Sequence, residues 1–116
     1  MNARFNWSRL AVILPTPLQW CEVTYTRHRM RSGWCLAEVY CHELFGKHEW
    51  VTFGADGQCG ASGYENTRLA ARAAALGALI RQAESGKPSF HLGKRSLEAL
   101  RRFAAISALH GDTLGP

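Results

Sequence analysis

The middle of the chain alternates between apolar and polar residues with a period of two, the pattern of half-buried β-strands. Val, Tyr, Thr, Trp and Phe are frequent in this region, and these residues favour extended backbone. The alternation predicts three strands, over residues 19–27, 34–45 and 49–55. Turns at residues 29–33 and 46–48 would join them as antiparallel neighbours. We therefore expect a three-stranded antiparallel sheet.

After the predicted sheet, the apolar residues recur at a helical spacing. Thr67 is a suitable N-cap for an alanine-rich helix that continues to about Ala83, and Gly86 marks its end. Its predicted buried stripe consists of Leu69, Ala73, Leu76 and Ile80. A second helix is predicted from Ser96, a good N-cap, to about Leu109.

Two further segments have a coarser interpretation. Residues 5–14 fit either a short helix or a strand, and Pro15 ends the element in both cases. Gly57, Gly60 and Gly63 lie between the last predicted strand and the alanine-rich helix. Such glycines either form an exposed loop or let a helix N-terminus bind a phosphate.

Together these elements predict an α+β fold. A three-stranded antiparallel sheet packs against the alanine-rich helix, and the second helix is a C-terminal addition. With 116 residues the chain can bury one modest core, so we expect residues 1–110 to form a single domain. Residues 111–116 are expected to be a flexible tail.

One face of the predicted sheet is unusually rich in aromatic residues. Its aromatic members are Trp20, Trp34, Tyr40 and Trp50. A patch of this kind is too apolar to remain in contact with water. Either the helices or a second copy of the chain covers it, as in a homodimer, or it binds a partner protein.

The net charge of +5 is unevenly distributed along the chain. Residues 1–33 carry five arginines against one acidic residue, whereas residues 34–66 carry one lysine against five acidic residues. Residues 67–116 carry eight basic residues against three acidic ones. This distribution fits a protein with one surface for an anionic partner.

The longest apolar run near the start, Leu10 to Leu14, is far shorter than a membrane span or the core of a secretory signal. We expect a soluble cytoplasmic protein that does not bind membranes. The four cysteines are then expected to be reduced thiols.

The histidines and cysteines do not predict a metal site or a catalytic centre. Cys41 and His42 are adjacent on a predicted strand, so their side chains point to opposite faces and cannot bind one ion. The spacing of the cysteines and histidines does not require a nucleophile–base pair, and no phosphate-binding or nucleotide-binding glycine motif is present. We expect no enzymatic activity, no metal and no cofactor.

Basic residues are concentrated at two places where nucleic-acid backbones are commonly bound. The predicted turn contains Arg27, His28, Arg29 and Arg31, and the first turns of the alanine-rich helix contain Arg68 and Arg72. Arginines at loop tips and helix N-termini are frequent phosphate contacts. These six residues are the predicted contact site.

The order of a short helix, three strands and an alanine-rich helix resembles the double-stranded RNA-binding domain. That family begins its last helix with a small capping residue, basic residues and spaced alanines. Thr67-Arg68, Ala71-Arg72 and Ala75 occupy comparable positions here. The resemblance implies that the basic turn enters a minor groove and that the start of the helix contacts phosphates.

The function predicted from the sequence is therefore non-enzymatic binding of nucleic acid, or of a complex that handles nucleic acid. The alternative is a protein-interaction module or inhibitor from a phage or mobile element, similar to anti-CRISPR proteins in size and architecture. It would act through the aromatic face and the basic surface.

Overall fold

The computed structural model describes residues 18–110, and its central feature is one antiparallel sheet of five strands. The strands pair in sequence order and are β1 (Cys21–Thr24), β2 (Arg27–Ser32), β3 (Cys35–His42), β4 (Lys47–Phe53) and β5 (Cys59–Glu65). They are followed by helix α1 (Arg68–Glu84), a short 3₁₀ helix (Pro88–Phe90) and helix α2 (Lys94–His110). The α+β class is confirmed, but the prediction of three strands is wrong.

The first of the two strands beyond the predicted three lies where a turn was predicted. Tyr25 and Thr26 form a tight turn that ends β1, and the basic segment predicted as a turn is strand β2. His28 and Met30 are buried, while the arginines beside them point the other way. The segment therefore alternates like any half-buried strand, because its three arginines share one face and His28, Met30 and Ser32 share the other.

The second additional strand, β5, occupies the glycine-rich segment, for which the sequence left open either an exposed loop or a phosphate-binding helix N-terminus. A Cβ atom at Gly60 would lie 2.2 Å from Cζ of Phe90, and one at Gly63 would lie 2.8 Å from Nε1 of Trp50. Neither glycine has a positive φ angle. These glycines are therefore strand residues over which large side chains pack closely.

Helix α1 packs on one face of the sheet through small residues. Ala71, Ala75 and Ala78 are buried, and Leu76 and Leu79 fill the space between them. Of the predicted stripe, Leu76 is buried, Ile80 is half-buried, and Leu69 and Ala73 are exposed. The buried stripe is rotated because the sheet contacts the alanine side of the helix.

The helix ends agree in part with the sequence. The side chain of Thr67 caps α1 as predicted, since its Oγ1 accepts a hydrogen bond of 3.1 Å from the backbone N–H of Ala70. Helix α2 begins at Lys94, so Ser96 is not its cap. The predicted element at residues 5–14 and the predicted tail at 111–116 lie outside the described residues.

Candidate functional site

Strand β2 places three arginines on the sheet face opposite α1, which we call the far face. Arg31 is paired with Leu36 of β3, and Arg29 is paired with Glu38. Arg27 is paired with Tyr40. The three arginines are two residues apart, about 7 Å along a strand. We call Arg27, Arg29 and Arg31 the arginine row.

Glu38, on the central strand β3, forms ion pairs with two members of the arginine row. This carboxylate is almost fully buried, and its Oε2 accepts a hydrogen bond of 2.5 Å from Nε of Arg29. Nε of Arg27 lies 3.6 Å from the same oxygen. Arg31 is exposed and forms no ion pair with another residue in the described range 18–110. Three positive charges thus face one negative charge, and the row keeps a surplus of positive charge.

Tyr40 completes this group. Its hydroxyl donates to Oε1 of Glu38, and the guanidinium of Arg27 lies 5.8 Å from the centre of its ring. Burial, the hydrogen bond to Glu38 and the charge of Glu38 raise the pKa of Tyr40 to about 12. The hydroxyl therefore stays protonated at neutral pH and continues to donate its hydrogen bond to Glu38.

The predicted aromatic face is divided between the two sides of the sheet. Tyr40 lies on the far face, and Trp34 borders this face from the turn between β2 and β3, where it is 79% exposed. Trp20 is buried in the core between the sheet and α1, and the partly buried Trp50 packs against this core. The division follows from the register, because Trp50 is paired with the buried Val39.

The six predicted basic contacts are also divided. His28 and Arg72 are buried between β2 and α1, where Nη2 of Arg72 lies 2.7 Å from Nδ1 of His28. Arginine has only donors, so Nδ1 of His28 accepts this hydrogen bond. Arg68 lies at the start of α1. Burial, and then the charge of Arg68, lower the pKa of His48 on the same side of the sheet. The structure therefore brings together three of the six, the arginine row.

Sequence reasoning missed Glu38, which is not among the predicted site residues. The period of two over residues 27–32 was the available signal, since it places every second arginine on one face. Glu38 can be buried in the sheet because Arg29 and Arg27 compensate its charge.

All four cysteines are free thiols, of which Cys35 is buried, and burial raises its pKa. Among residues 18–110, no group of three or more His, Cys, Asp or Glu side chains is placed to hold a metal ion. Neither α1 nor α2 is long and apolar enough to cross a membrane. Comparison of the chain with protein-family models, curated proteins and solved structures found no match.

Proposed function

We propose that this protein is a non-enzymatic nucleic-acid-binding protein and that the arginine row is its contact surface. The observation that carries the proposal is the regular placement of Arg27, Arg29 and Arg31 on one sheet face, next to the exposed ring of Trp34. Guanidinium groups bind phosphates, and exposed aromatic rings stack on bases. The cytoplasm, where nucleic acids are accessible, is the compartment that suits this function.

The contacts with Glu38 leave the arginine row able to bind phosphates. Both contacts run through Nε atoms, and the Nη atoms of each guanidinium carry four more N–H donors. Glu38 therefore fixes the direction of Arg29 by a hydrogen bond and attracts Arg27 by its charge, while the ends of both arginines remain available. Fixed side chains lose less conformational entropy when they bind.

This surface differs from the contact site expected from the resemblance to double-stranded RNA-binding domains. The resemblance combined a basic turn with the start of the alanine-rich helix. Arg72 is buried on the side of α1, so it does not belong to the proposed surface. The proposal therefore depends on β2 and the turn that follows it, and it assigns no contact to α1.

The test is the salt dependence of binding, measured by fluorescence anisotropy with a short labelled oligonucleotide. Three phosphate contacts predict that log K falls against log salt with a slope of about −2, and each arginine replaced by alanine should remove about 0.7 from its size. Arg95→Ala removes one exposed arginine from α2 and serves as the matched control with an unchanged slope. The absence of binding to both RNA and DNA at low salt would sink the proposal.

A protein-interaction module is the second candidate, and the turn between β3 and β4 favours it. Leu44 and Phe45 are adjacent in that turn, with 93% and 77% of their surfaces exposed. Adjacent exposed apolar residues form a patch of the kind that marks protein-interaction sites. An inhibitor of the anti-CRISPR kind would be one protein of this class.

A pull-down after nuclease treatment compares the two candidates. Under the second one, the parent protein retains a protein partner and the Leu44→Ser/Phe45→Ser double variant loses it. If the parent and the double variant retain the same proteins, this turn is not the binding surface. Loss of all partners after nuclease treatment supports the first candidate instead.

A further inference from the structure

A hollow of about 370 Å³ lies on the far face, at the end of the sheet near the turn between β2 and β3. Its lining side chains are Arg29, Arg31, Trp34, Leu36, Glu38 and Phe53. Gly54, Ala55 and Gly57 line its other edge. The hollow therefore continues the arginine row toward the exposed tryptophan.

The hollow combines three kinds of surface. Leu36 and Phe53 are directly paired across β3 and β4 and are half-buried, so they form an apolar floor. The mostly exposed ring of Trp34 stands at one side. Arg29 and Arg31 supply positive charge at the rim. A flat aromatic ring that carries an anionic group matches this combination.

The negative charge of Glu38 does not prevent an anionic ligand from binding in the hollow. Its Oε2 accepts from Arg29 and its Oε1 accepts from Tyr40, so the carboxylate is already compensated within the sheet. Arg31 is the exposed member of the row at this end and forms no ion pair inside residues 18–110. The rim next to Trp34 is therefore positively charged, which complements a phosphate.

We propose that the hollow binds one unpaired base of a single-stranded nucleic acid. Trp34 stacks on the base, Leu36 and Phe53 contact it from below, and Arg31 binds the adjoining phosphate. In a duplex, the bases are stacked and paired in the interior and cannot enter the hollow. The inference rests on the proposed function, and it adds that single strands are the preferred ligand.

The experiment compares a labelled single strand with the duplex of the same sequence at one salt concentration. We expect the parent protein to bind the single strand about tenfold more tightly. Trp34→Ala should weaken single-strand binding about tenfold and leave duplex binding unchanged, since one base–aromatic stack is lost. Trp34→Phe should retain most of the affinity, because a phenyl ring still stacks.

Phe45→Ala is the matched control, because it removes another exposed aromatic ring from a different turn of the same sheet. It should change neither affinity. Circular dichroism shows whether each variant keeps the parent's fold, which is expected because Trp34 and Phe45 are exposed.

The possible failures point to different conclusions. Equal, salt-dependent binding of single strand and duplex, with no effect of Trp34→Ala, would overturn the base site and leave the arginine row intact. Tighter binding of the duplex would also overturn the base site. Failure of the parent to bind either ligand at low salt would overturn the proposed function as well.

Discussion

Nη2 of Arg72 lies 2.7 Å from Nδ1 of His28, and each residue exposes only 3% of its surface. The same guanidinium lies 5.0 Å from the centre of the Trp20 ring. One buried cation therefore connects α1, β2 and the residue before β1. Because a buried charge is costly without partners, this group also fixes how α1 docks on the sheet.

Replacing Arg72 with methionine should destabilise the fold without weakening nucleic-acid binding. The variant loses the hydrogen bond to His28 and the contact with Trp20, so we expect a loss of about 2 kcal/mol from the free energy of unfolding. Urea denaturation measures it. Arg81→Met, at an exposed position of the same helix, should change stability by less than about 0.5 kcal/mol. A fully stable Arg72→Met variant would contradict the structural role of this cation.

The pair itself is testable with a double-mutant cycle that combines Arg72→Met with His28→Phe. We expect a coupling energy of about 1–2 kcal/mol, because the two residues share a buried hydrogen bond. Four urea denaturation curves give the value. Strict additivity of the two single changes would show that the contact does not contribute to stability.

Gly60→Ala should destabilise the protein because the new methyl group has no space. Its Cβ would lie 2.2 Å from Phe90 and 2.4 Å from Nε2 of Gln82, both of which are buried. We expect a loss of about 1–3 kcal/mol, seen as a lower melting temperature. Gly93→Ala is the matched control, since no atom lies within 4 Å of its added Cβ. Similar melting temperatures for both variants would contradict the close packing over β5.

Stability should fall as the pH drops below about 6.5, partly because of His48. Burial and then the charges of Arg68 and His42 lower its pKa from 6.5, so the folded protein binds the proton more weakly than the unfolded chain. The unfolded state then binds more protons, and the loss of stability develops between pH 6.5 and the lower folded pKa.

Urea denaturation on both sides of pH 6.5 checks this effect. His48→Gln should reduce the acid-induced loss of stability. His91→Gln, at an exposed position, should retain it because His48 is still present. An identical pH profile for His48→Gln and the parent would rule out this source of pH dependence.

Glu38→Gln should increase the affinity for nucleic acid. The change removes the negative charge beside the arginine row but keeps a side-chain oxygen that can accept from Nε of Arg29, so the arginines stay oriented and their attraction for phosphates is no longer offset. We expect tighter binding by severalfold and a steeper salt dependence, measured by anisotropy. Glu98→Gln makes the same change in net charge on α2, where Glu98 lies 3.9 Å from Arg102. Equal effects of the two substitutions would show that only the net charge of the protein matters.

The sequence predicted α1 well because its signals are local. The alanine-rich interior favours a helix, and Thr67 and Gly86 mark its two ends. The structure confirms Thr67 as the N-cap. The rotation of its buried stripe away from Leu69 and Ala73 was not predictable, because it depends on which side of the helix meets the sheet.

The two missed strands have different physical causes. Tyr25 and Thr26 form the turn between β1 and β2, although both residue types favour strands. Because the turn contains no Gly, Pro, Asn or Asp, the sequence did not indicate a break there. In β5, Gly60 and Gly63 suggested a loop, although they are required by the large side chains that pack over them. Strand β5 could not be predicted from the sequence, because the positions of Phe90 and Trp50 over these glycines are known only from the fold.

The candidate site was predicted in part for a similar reason. The arginines of β2 were identified by residue type, but their separation from His28 and Arg72 depends on the pleat of a strand that was not predicted. Glu38 could be identified only from the pairing of β2 with β3.

The sequence-order arrangement of the sheet also affects how the chain folds. Each strand pairs with its immediate predecessor across a connection of two to five residues, so each pairing closes a short loop. Short loops lose little entropy on closure, and topologies dominated by such local pairings fold rapidly. We therefore expect the sheet to form hairpin by hairpin, and refolding from urea to be complete within about milliseconds to a second.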